Sequence, residues 1–370
     1  MLNSLLYNAF MRVKHLTLKN YRNCRDIELE LNNNKVIIIG KNAQGKTNIL
    51  ESVYFLSTLK SPRTSNIKEF VNFESDNFSA DISIEKSETE IELGVDYTLD
   101  KTKSLKVNGL KTSSKNYRNI LTTVLFSTQD LMLLRGSPQD RRSWLDSAIS
   151  QIYPAHDERI TKYNKIRIQK NNLLKEPEIN MQLLDVFNEQ LVTVGANIIY
   201  VRQKFLSELK KYAQDRYLDI SKNEEFDLKY SFETSDLNEI AEALKQEIQE
   251  RTAEEIARHQ SCVGPHRDDI YFYLNDRDAT KFASQGQQRS IVLAIKLAEI
   301  ELIKDKNGDS PVLLLDDVLA ELDDLRQNYL LKSISDDTQT IITSVDTLLF
   351  DDDFLRNVTI YKISNGEITE

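Results

Sequence analysis

Several features that define other classes of protein are missing from this chain of 370 residues. Its two cysteines, Cys24 and Cys262, are far apart and outside any CxxC or Cys/His cluster, which argues against a disulfide framework and a zinc site. No apolar run approaches the length of roughly eighteen residues that a membrane-spanning helix needs. The first residues also lack the charged region and cleavage site of a signal peptide. We therefore predict a cytoplasmic globular protein with no membrane contact, in which residues 1–10 are an N-terminal extension.

An excess of positive charge is also missing, because the net charge is −10. This argues against a protein coated in positive charge for nucleic acid. The charge is uneven, however: residues 135–216 carry more basic than acidic side chains, and residues 217–260 are strongly acidic. Any positive face is therefore expected in the middle of the chain. Sustained heptads are absent as well, which argues against long coiled-coil arms.

Alternating and buried apolar patterns predict strands near both ends of the chain, whereas its middle has helical patterns rich in Lys, Gln, Glu and Leu. The predicted strands fall within residues 11–32, 35–39, 79–99, 104–112, 269–275, 312–317 and 340–344, and Asn108-Gly109 predicts a hairpin turn. This distribution predicts an α/β nucleotide-binding lobe formed by residues 11–137 plus 259–370. A largely helical second lobe over residues 138–258 is inserted into it.

The stretch GKNAQGKTN follows a short apolar strand and precedes a helical pattern. Gly40, Gly45, Lys46 and Thr47 occupy the four fixed positions of a phosphate-binding loop. The glycines let backbone N–H groups surround the β-phosphate, Lys46 reaches the β/γ oxygens, and the Thr47 hydroxyl is placed to bind Mg²⁺. This motif predicts a triphosphate site without choosing among kinases, GTPases and motor or clamp ATPases. The predicted nucleotide-binding residues of the loop are Gly40, Lys41, Asn42, Ala43, Gln44, Gly45, Lys46, Thr47 and Asn48.

Two carboxylates end the apolar run PVLLLDD. Beside a phosphate loop, Asp316 can hold Mg²⁺ directly or through water, and Asp317 can orient or deprotonate the attacking water. The other interpretation is a buried strand that runs into an acidic solvent loop. Lys46 and Asp317 are the predicted catalytic residues.

A third motif, SQGQQR, opens a helical pattern about thirty residues before the acidic strand. A serine and a glycine at a helix N-terminus can present a hydroxyl and amides to an anion, with the helix dipole behind them. An ordinary serine N-cap is the alternative that this motif leaves open.

The phosphate loop, SQGQQR, LLLDD and AELD follow one another in the order of ABC-type ATPase heads, and the set resembles the RecF family of bacterial recombination mediators. Similar stretches include LKNYRN, LFSTQDLMLLRGSPQDRRSWLD, NEQLVTVGANI and GPHRDD, and the resemblance covers residues 11–366. It implies an α/β fold of the ABC-type P-loop ATPase head, a mixed sheet with flanking helices, with a helical lobe inserted. It also implies an ATP-dependent homodimer in which the signature of one subunit closes over the nucleotide of the other.

The resemblance also implies roles for further residues. Ser284 and Gly286 would contact the γ-phosphate in trans, with Gln285 and Gln287 beside them. Where the family usually has Pro-Glu, this chain has Thr128-Gln129, so Gln129 is a candidate sensor of Mg²⁺ and the γ-phosphate. No switch histidine follows TIITS, which suggests slow hydrolysis by a weak ATPase that serves as a conformational switch. The resemblance also places Asp323 across the dimer interface. It places Arg22 and Asn23 beside the nucleotide, and a simple polar turn is the alternative interpretation of these two residues.

The resemblance implies that the protein binds duplex DNA near single-strand gaps. It also implies that RecR and RecO are partners with which the protein helps to load RecA during DNA repair and replication. The stretch RITKYNKIRIQKNNLLK has six basic residues and no acidic one, so a helix there could bind backbone phosphates. A solvated helix face is the alternative. A second basic stretch contains Arg141 and Arg142, which could equally pair with acids inside the fold. The predicted DNA-binding residues are Arg159, Lys162, Lys165, Arg167 and Lys170.

Two other functions stay open beside this hypothesis. One is a different head ATPase, of the chromosome-structural (SMC-like) or nuclease-partner kind, although such proteins need long heptad arms. The other is a P-loop kinase that phosphorylates a metabolite, although a kinase has no use for a signature motif that acts in trans.

Overall fold

The computed structural model describes residues 11–100, 102–232 and 234–369, so the predicted extension at residues 1–10 lies outside the described residues. Contacts divide the chain into two compact units. Unit 1 combines Met1–Leu131 with Lys296–Glu370, and unit 2 is Met132–Ile295. None of the described helices is both long and apolar enough to cross a membrane.

The first sheet of unit 1 is mostly parallel and carries the phosphate loop. Its strands are β3 (Lys35–Ile39), β8 (Thr123–Ser127), β12 (Val312–Asp316), β13 (Thr340–Ser344), β14 (Val358–Ser364) and β15 (Glu367–Ile368). They lie in the order β15-β14-β3-β13-β12-β8, and only the edge strand β15 is antiparallel to its neighbour. Strands β3 and β12 contain unbroken apolar runs, and β13 is buried along its whole length, because parallel strands are covered on both faces.

The second sheet of unit 1 is antiparallel. Its strands are β1 (Met11–Tyr21), β2 (Cys24–Glu30), β4 (Asn77–Lys86), β5 (Thr89–Thr98), β6 (Lys103–Val107) and β7 (Leu110–Thr112), and they lie in the order β2-β1-β4-β5-β6-β7. Alternating side chains bury one of its faces, as the sequence pattern predicted. The predicted turn at Asn108-Gly109 is confirmed, and both residues have positive φ, as a tight hairpin turn requires.

A helix from the phosphate loop joins these two sheets into one core. The helices of unit 1 are α1 (Lys46–Thr58), α2 (Ser114–Tyr117), α10 (Asp324–Ser333) and α11 (Asp352–Leu355). Helix α1 contacts β4 and β5 of one sheet and β8, β12 and β13 of the other. Its buried Ile49, Val53 and Leu56 belong to a single apolar cluster with residues of both sheets. Because each such side chain contributes about 1.5–3 kcal/mol on burial, this packing fixes where the helix begins and therefore where the loop lies.

Unit 2 is largely helical. Its helices are α3 (Pro138–Ile152), α4 (Ala155–Leu173), α5 (Met181–Ser221), α6 (Leu237–Glu250), α7 (Thr252–Arg258) and α8 (Ala279–Phe282), and α9 (Gln285–Asn307) begins here. The 41-residue helix α5 packs against α4 and α6, so it is not a projecting arm. A small sheet of β9 (Phe226–Tyr230), β10 (Ile270–Leu274) and β11 (Arg277–Asp278) completes the unit.

The stretch 259–295, which the sequence pattern assigned to the nucleotide-binding lobe, groups with unit 2 instead. Strand β10 pairs with β9, a strand inside the insertion that the helical composition concealed. Arg141 of α3 also holds Asp269 through two hydrogen bonds, of 2.7 and 2.8 Å. These long-range contacts tie the stretch to the helices of unit 2.

Candidate nucleotide-binding cleft

A cleft of about 640 Å³ lies where parallel strands of unit 1 end. Loops at the carboxyl ends of parallel strands are the usual place for ligands in such sheets. Three elements predicted separately line it together: the phosphate loop after β3, Gln129 after β8, and Asp316 with Asp317 at the end of β12. The whole lining is Asn23, Asn42, Ala43, Gln44, Gly45, Lys46, Thr47, Asn48, Leu50, Glu51, Pro62, Arg63, Leu125, Ser127, Thr128, Gln129, Asp316 and Asp317.

The loop conformation requires its two glycines. Gly45 has a φ of +114°, in the region that side chains with a Cβ rarely adopt. At Gly40, a Cβ would lie 2.5 Å from the carbonyl oxygen of Ile363 in β14. Lys46 is buried, and its Nζ donates to the Gly40 carbonyl at 2.8 Å. The ammonium group is therefore held inside the loop, 3.8 Å from a carboxylate oxygen of Asp317.

Oxygen atoms of Thr47 and Asp316 form a site that fits Mg²⁺. The Thr47 hydroxyl donates to Asp316 Oδ1 at 3.0 Å, and Thr343 donates to the same oxygen at 2.9 Å. Adjacent oxygen ligands of octahedral Mg²⁺, each about 2.1 Å from the ion, lie about 3 Å apart, so the observed spacing is compatible with both acting as ligands. Burial raises the pKa of Asp316, Asp317 adds to this effect, and the hydrogen bonds from Thr343 and Thr47 oppose it.

Asp317 follows Asp316 in the chain and is partly exposed to solvent. Its side chain is 36% exposed, and its backbone N–H donates to the Thr343 hydroxyl at 2.9 Å. Its φ of +50° lies in the left-handed region, which Asp and Asn tolerate better than other side chains. The turn thus leaves the carboxylate partly exposed at the cleft, beside Lys46, where it can meet a water molecule.

A buried ion pair supports the segment that carries Gln129. Gln129 itself is exposed, and the next residue, Asp130, accepts hydrogen bonds from the N–H and hydroxyl of Ser127. Lys296 of α9 lies 3.5 Å from Asp130 and 3.0 Å from Glu299. Burial alone would lower the pKa of Lys296, but these two carboxylates outweigh it and raise the pKa above its usual value.

The sequence interpretation missed two charged residues of the cleft, Glu51 and Arg63. Glu51 is 2% exposed and accepts hydrogen bonds from Arg22 at 2.7 Å and from Arg63 at 3.3 Å. Arg63 also donates to Asn48, which in turn donates to Asn23 at 2.7 Å. The predicted turn at Arg22-Asn23 exists between β1 and β2, and its Asn23 lines the cleft. Only the position of Arg63 soon after α1 could have indicated this network.

The signature residues lie in unit 2, at the start of α9. Ser284 and Gln287 form a reciprocal cap: Gln287 N–H donates to Ser284 Oγ at 3.2 Å, and Ser284 N–H donates to Gln287 Oε1 at 2.8 Å. Ser284 and Gln285 are exposed, and Gly286 is half-buried. Asp323, in unit 1, caps α10 by accepting the Arg326 N–H at 3.0 Å and is not among the residues that line the cleft.

The predicted DNA-binding residues need one correction. Lys162 and Lys165 are exposed on α4, and Arg159 and Arg167 are half-buried. Lys170, in contrast, is fully buried, and its Nζ lies 2.6 Å from Glu255 of α7. It cannot contact DNA, because removing it from Glu255 would leave a buried carboxylate unpaired.

Arg141 and Arg142 of the second basic stretch make their hydrogen bonds within unit 2, in agreement with the alternative that the sequence left open. Arg141 forms its two hydrogen bonds with Asp269 and has only 9% of its side chain exposed. Arg142 donates to the Asp268 carbonyl at 2.6 Å and to Gln139. These arginines stabilise unit 2.

A parallel sheet, a phosphate loop, an acidic pair and a signature helix together define an ABC-type ATPase head. A family model described as RecF/RecN/SMC N terminal domain matches residues 12–369. The chain belongs to this family, within its RecF branch: it is 39% identical over 363 residues to the DNA replication and repair protein RecF of Streptococcus gordonii, covering 97% of this chain and all of the relative.

Other relatives agree with this assignment. The RecF protein of Bacillus subtilis is 39% identical over 371 residues, with 97% of this chain and all of the relative covered. A solved structure of the recombination mediator protein RecF with ATP, in the RecFOR pathway, superimposes with a TM-score of 0.90 at 33% identity. It covers all of this chain and 99% of the other. An Smc head domain from Pyrococcus furiosus has a similar fold, with a TM-score of 0.56. The two chains are 15% identical, with 97% of this chain and 95% of the other covered, so this likeness concerns only the fold.

Proposed function

We propose that this protein is an ATP-gated DNA clamp that acts in recombinational repair and replication. The observation that carries the proposal is the division of the nucleotide machinery between two units. The phosphate loop, Asp316 and Asp317 line a cleft in unit 1, whereas the serine-led end of α9 belongs to unit 2. Two copies arranged head to tail would place the helix end of each against the nucleotide of the other. The triphosphate would then bridge the subunits and hold the dimer closed.

The phosphate loop, the acidic pair and Gln129 each have a proposed task in this cycle. Backbone N–H groups of residues 41–47 and the ammonium of Lys46 bind the phosphates, with Thr47 and Asp316 as ligands of Mg²⁺. The cation, when bound, neutralises phosphate charge. Asp317 orients and deprotonates the attacking water, and Gln129 reports the γ-phosphate to the segment held by Asp130 and Lys296. The bound structures of RecF with ATP support ATP as the nucleotide.

Hydrolysis is proposed to open the clamp slowly. A weak ATPase suits a protein whose bound state matters more than its turnover. After β13 the chain continues with Val345-Asp346, so no histidine stands at the start of that loop. ATP hydrolysis separates the γ-phosphate from the nucleotide, and the interactions that join the two subunits are then lost.

The exposed cations of α4 are proposed to contact duplex DNA near single-strand gaps. Lys162 and Lys165 are three residues apart, so both lie on one side of the helix. Contacts between such side chains and backbone phosphates are independent of base sequence and sensitive to salt. The place of solved relatives in the RecFOR pathway supports RecO and RecR as partners. Loading of RecA is the outcome that we propose for this partnership.

Replacing both lysines by glutamate tests the DNA contact. With ATP, the wild type is expected to bind a gapped duplex more tightly than with ADP. The variant Lys162→Glu/Lys165→Glu should bind at least about tenfold more weakly, with a salt slope smaller by about two, because each phosphate contact contributes about one unit of slope. Fluorescence anisotropy at several salt concentrations measures both quantities.

The matched control is Lys204→Glu/Lys211→Glu, which reverses two exposed lysines of α5 in the same unit and changes the net charge by the same amount. Its affinity for DNA should stay within about twofold of the wild type, because both substitutions lie on α5, outside the proposed DNA face. Equal effects of the control and the α4 variant would show a general charge effect and contradict a DNA face on α4.

A further inference from the structure

The Gln287 side chain holds the first turn of α9 from two sides. Its Oε1 accepts the Ser284 N–H at 2.8 Å, and its Nε2 donates to Glu224 Oε1 at 2.5 Å. A side-chain amide has one acceptor end and one donor end, and both are engaged here. The orientation of this amide, and with it the backbone of Ser284, therefore depends on where Glu224 stands.

Glu224 is itself anchored to another helix. It lies in the loop between α5 and β9, and its second oxygen accepts the Tyr217 hydroxyl at 2.8 Å. Tyr217 is a fully buried residue of α5, and its ring lies 5.5 Å from that of Phe226. The neighbouring Glu225 exchanges two hydrogen bonds of 2.9 Å with Asn275, which fixes the loop backbone. One carboxylate thus connects a buried tyrosine of α5 with the signature residues.

We propose that Glu224 is a positioning residue for the signature motif. Bound to Tyr217, it holds Gln287 in the one orientation that leaves Ser284 Oγ and the amides of the first turn ready for the phosphate of a partner copy. Hydrogen bonds to an ionised carboxylate are about twice as strong as those between neutral groups, which suits this task. The inference rests on the proposed composite site and adds a residue outside the motif to it.

The test measures nucleotide binding and dimerisation separately. Glu224→Ala should leave the affinity of the monomer for a fluorescent ATP analogue within about twofold, because the cleft belongs to unit 1. The dissociation constant of its ATP-dependent dimer, measured by sedimentation, should rise about tenfold or more, as expected when a hydrogen bond to a charged group is lost. Glu224→Gln keeps an acceptor for Gln287 and should restore dimerisation to within about threefold.

Two further variants check the route. Tyr217→Phe removes one hydroxyl from a buried ring and should weaken the dimer in the same direction by about threefold. Glu224→Ala combined with Gln287→Ala should be no worse than Gln287→Ala alone, since residues that act through one another are not additive.

Each outcome separates the inference from the proposed function. If Glu224→Ala dimerises like the wild type while Ser284→Arg does not, the positioning role is wrong and the composite site stands. Loss of ATP affinity and dimerisation together in both Glu224 variants would mark a general folding defect and overturn the inference. Normal dimerisation of Ser284→Arg would overturn both.

Discussion

Ser284→Arg is expected to abolish ATP-dependent dimerisation while ATP still binds to each separate subunit. The guanidinium group would occupy the space that the γ-phosphate of a partner copy needs at the first turn of α9. Losing a buried, hydrogen-bonded contact with a charged group costs about 2–5 kcal/mol, roughly a 30-fold to several-thousand-fold weaker dimer. Sedimentation with ATP and Mg²⁺ at micromolar protein concentration measures the dimer, and a fluorescent ATP analogue measures binding.

Two substitutions at the same position separate this effect from damage to the helix cap. Ser284 Oγ accepts the Gln287 N–H, so Arg also removes an N-cap worth about 0.5–2 kcal/mol. Ser284→Asp keeps the helix cap but places a negative carboxylate against the phosphate, so this variant should fail to dimerise. Ser284→Thr keeps both functions and should dimerise. If Ser284→Asp dimerised as well as the wild type, the hydroxyl would not be facing a phosphate.

Asp317→Asn is expected to lower ATP turnover by about 100- to 10,000-fold, the usual contribution of a general base. Asparagine is the appropriate change because residue 317 has a φ of +50°, a conformation that Asn adopts as readily as Asp. The dimer should form with ATP and persist, since the nucleotide is no longer cleaved. Phosphate release gives the rate, and sedimentation over time gives the lifetime of the dimer.

The neighbouring carboxylate provides the comparison. Asp316→Asn removes a predicted ligand of Mg²⁺ that Thr47 and Thr343 hold in place, so it should weaken Mg²⁺-dependent ATP binding and prevent dimerisation. Equal phenotypes for the two variants, or a turnover of Asp317→Asn within threefold of the wild type, would contradict the separate roles.

The cleft could be predicted from sequence because each of its parts is a local pattern. A strand, a glycine-bracketed loop and a helix in succession place Gly45, Lys46 and Thr47, and an apolar run ending in two acids places Asp316 and Asp317. In parallel strands these ends meet at one edge of the sheet, so linear order was sufficient to bring them together.

The parts that could not be predicted depend on partners far along the chain. Lys170 reads as one more exposed cation until Glu255, 85 residues later, is placed beside it. Strand β9 is five residues long in a helical context, and only its pairing with β10 reveals it. Glu224 belongs to no sequence motif, because its proposed role comes from the hydrogen bonds that Tyr217 and Gln287 both donate to its carboxylate.

Mixing two inactive variants tests the shared site most directly. Lys46→Ala has a damaged phosphate loop, and Ser284→Arg has a damaged signature. In a two-fold dimer each site uses the loop of one subunit and the signature of the other, so a mixed dimer has one intact site and one site damaged twice. An equimolar mixture should therefore recover turnover that neither variant shows alone, up to about half of the wild-type value, because the dimers that form are mixed and each has one of its two sites intact. Turnover that stays at the level of the separate variants would contradict a nucleotide held between two copies of the chain.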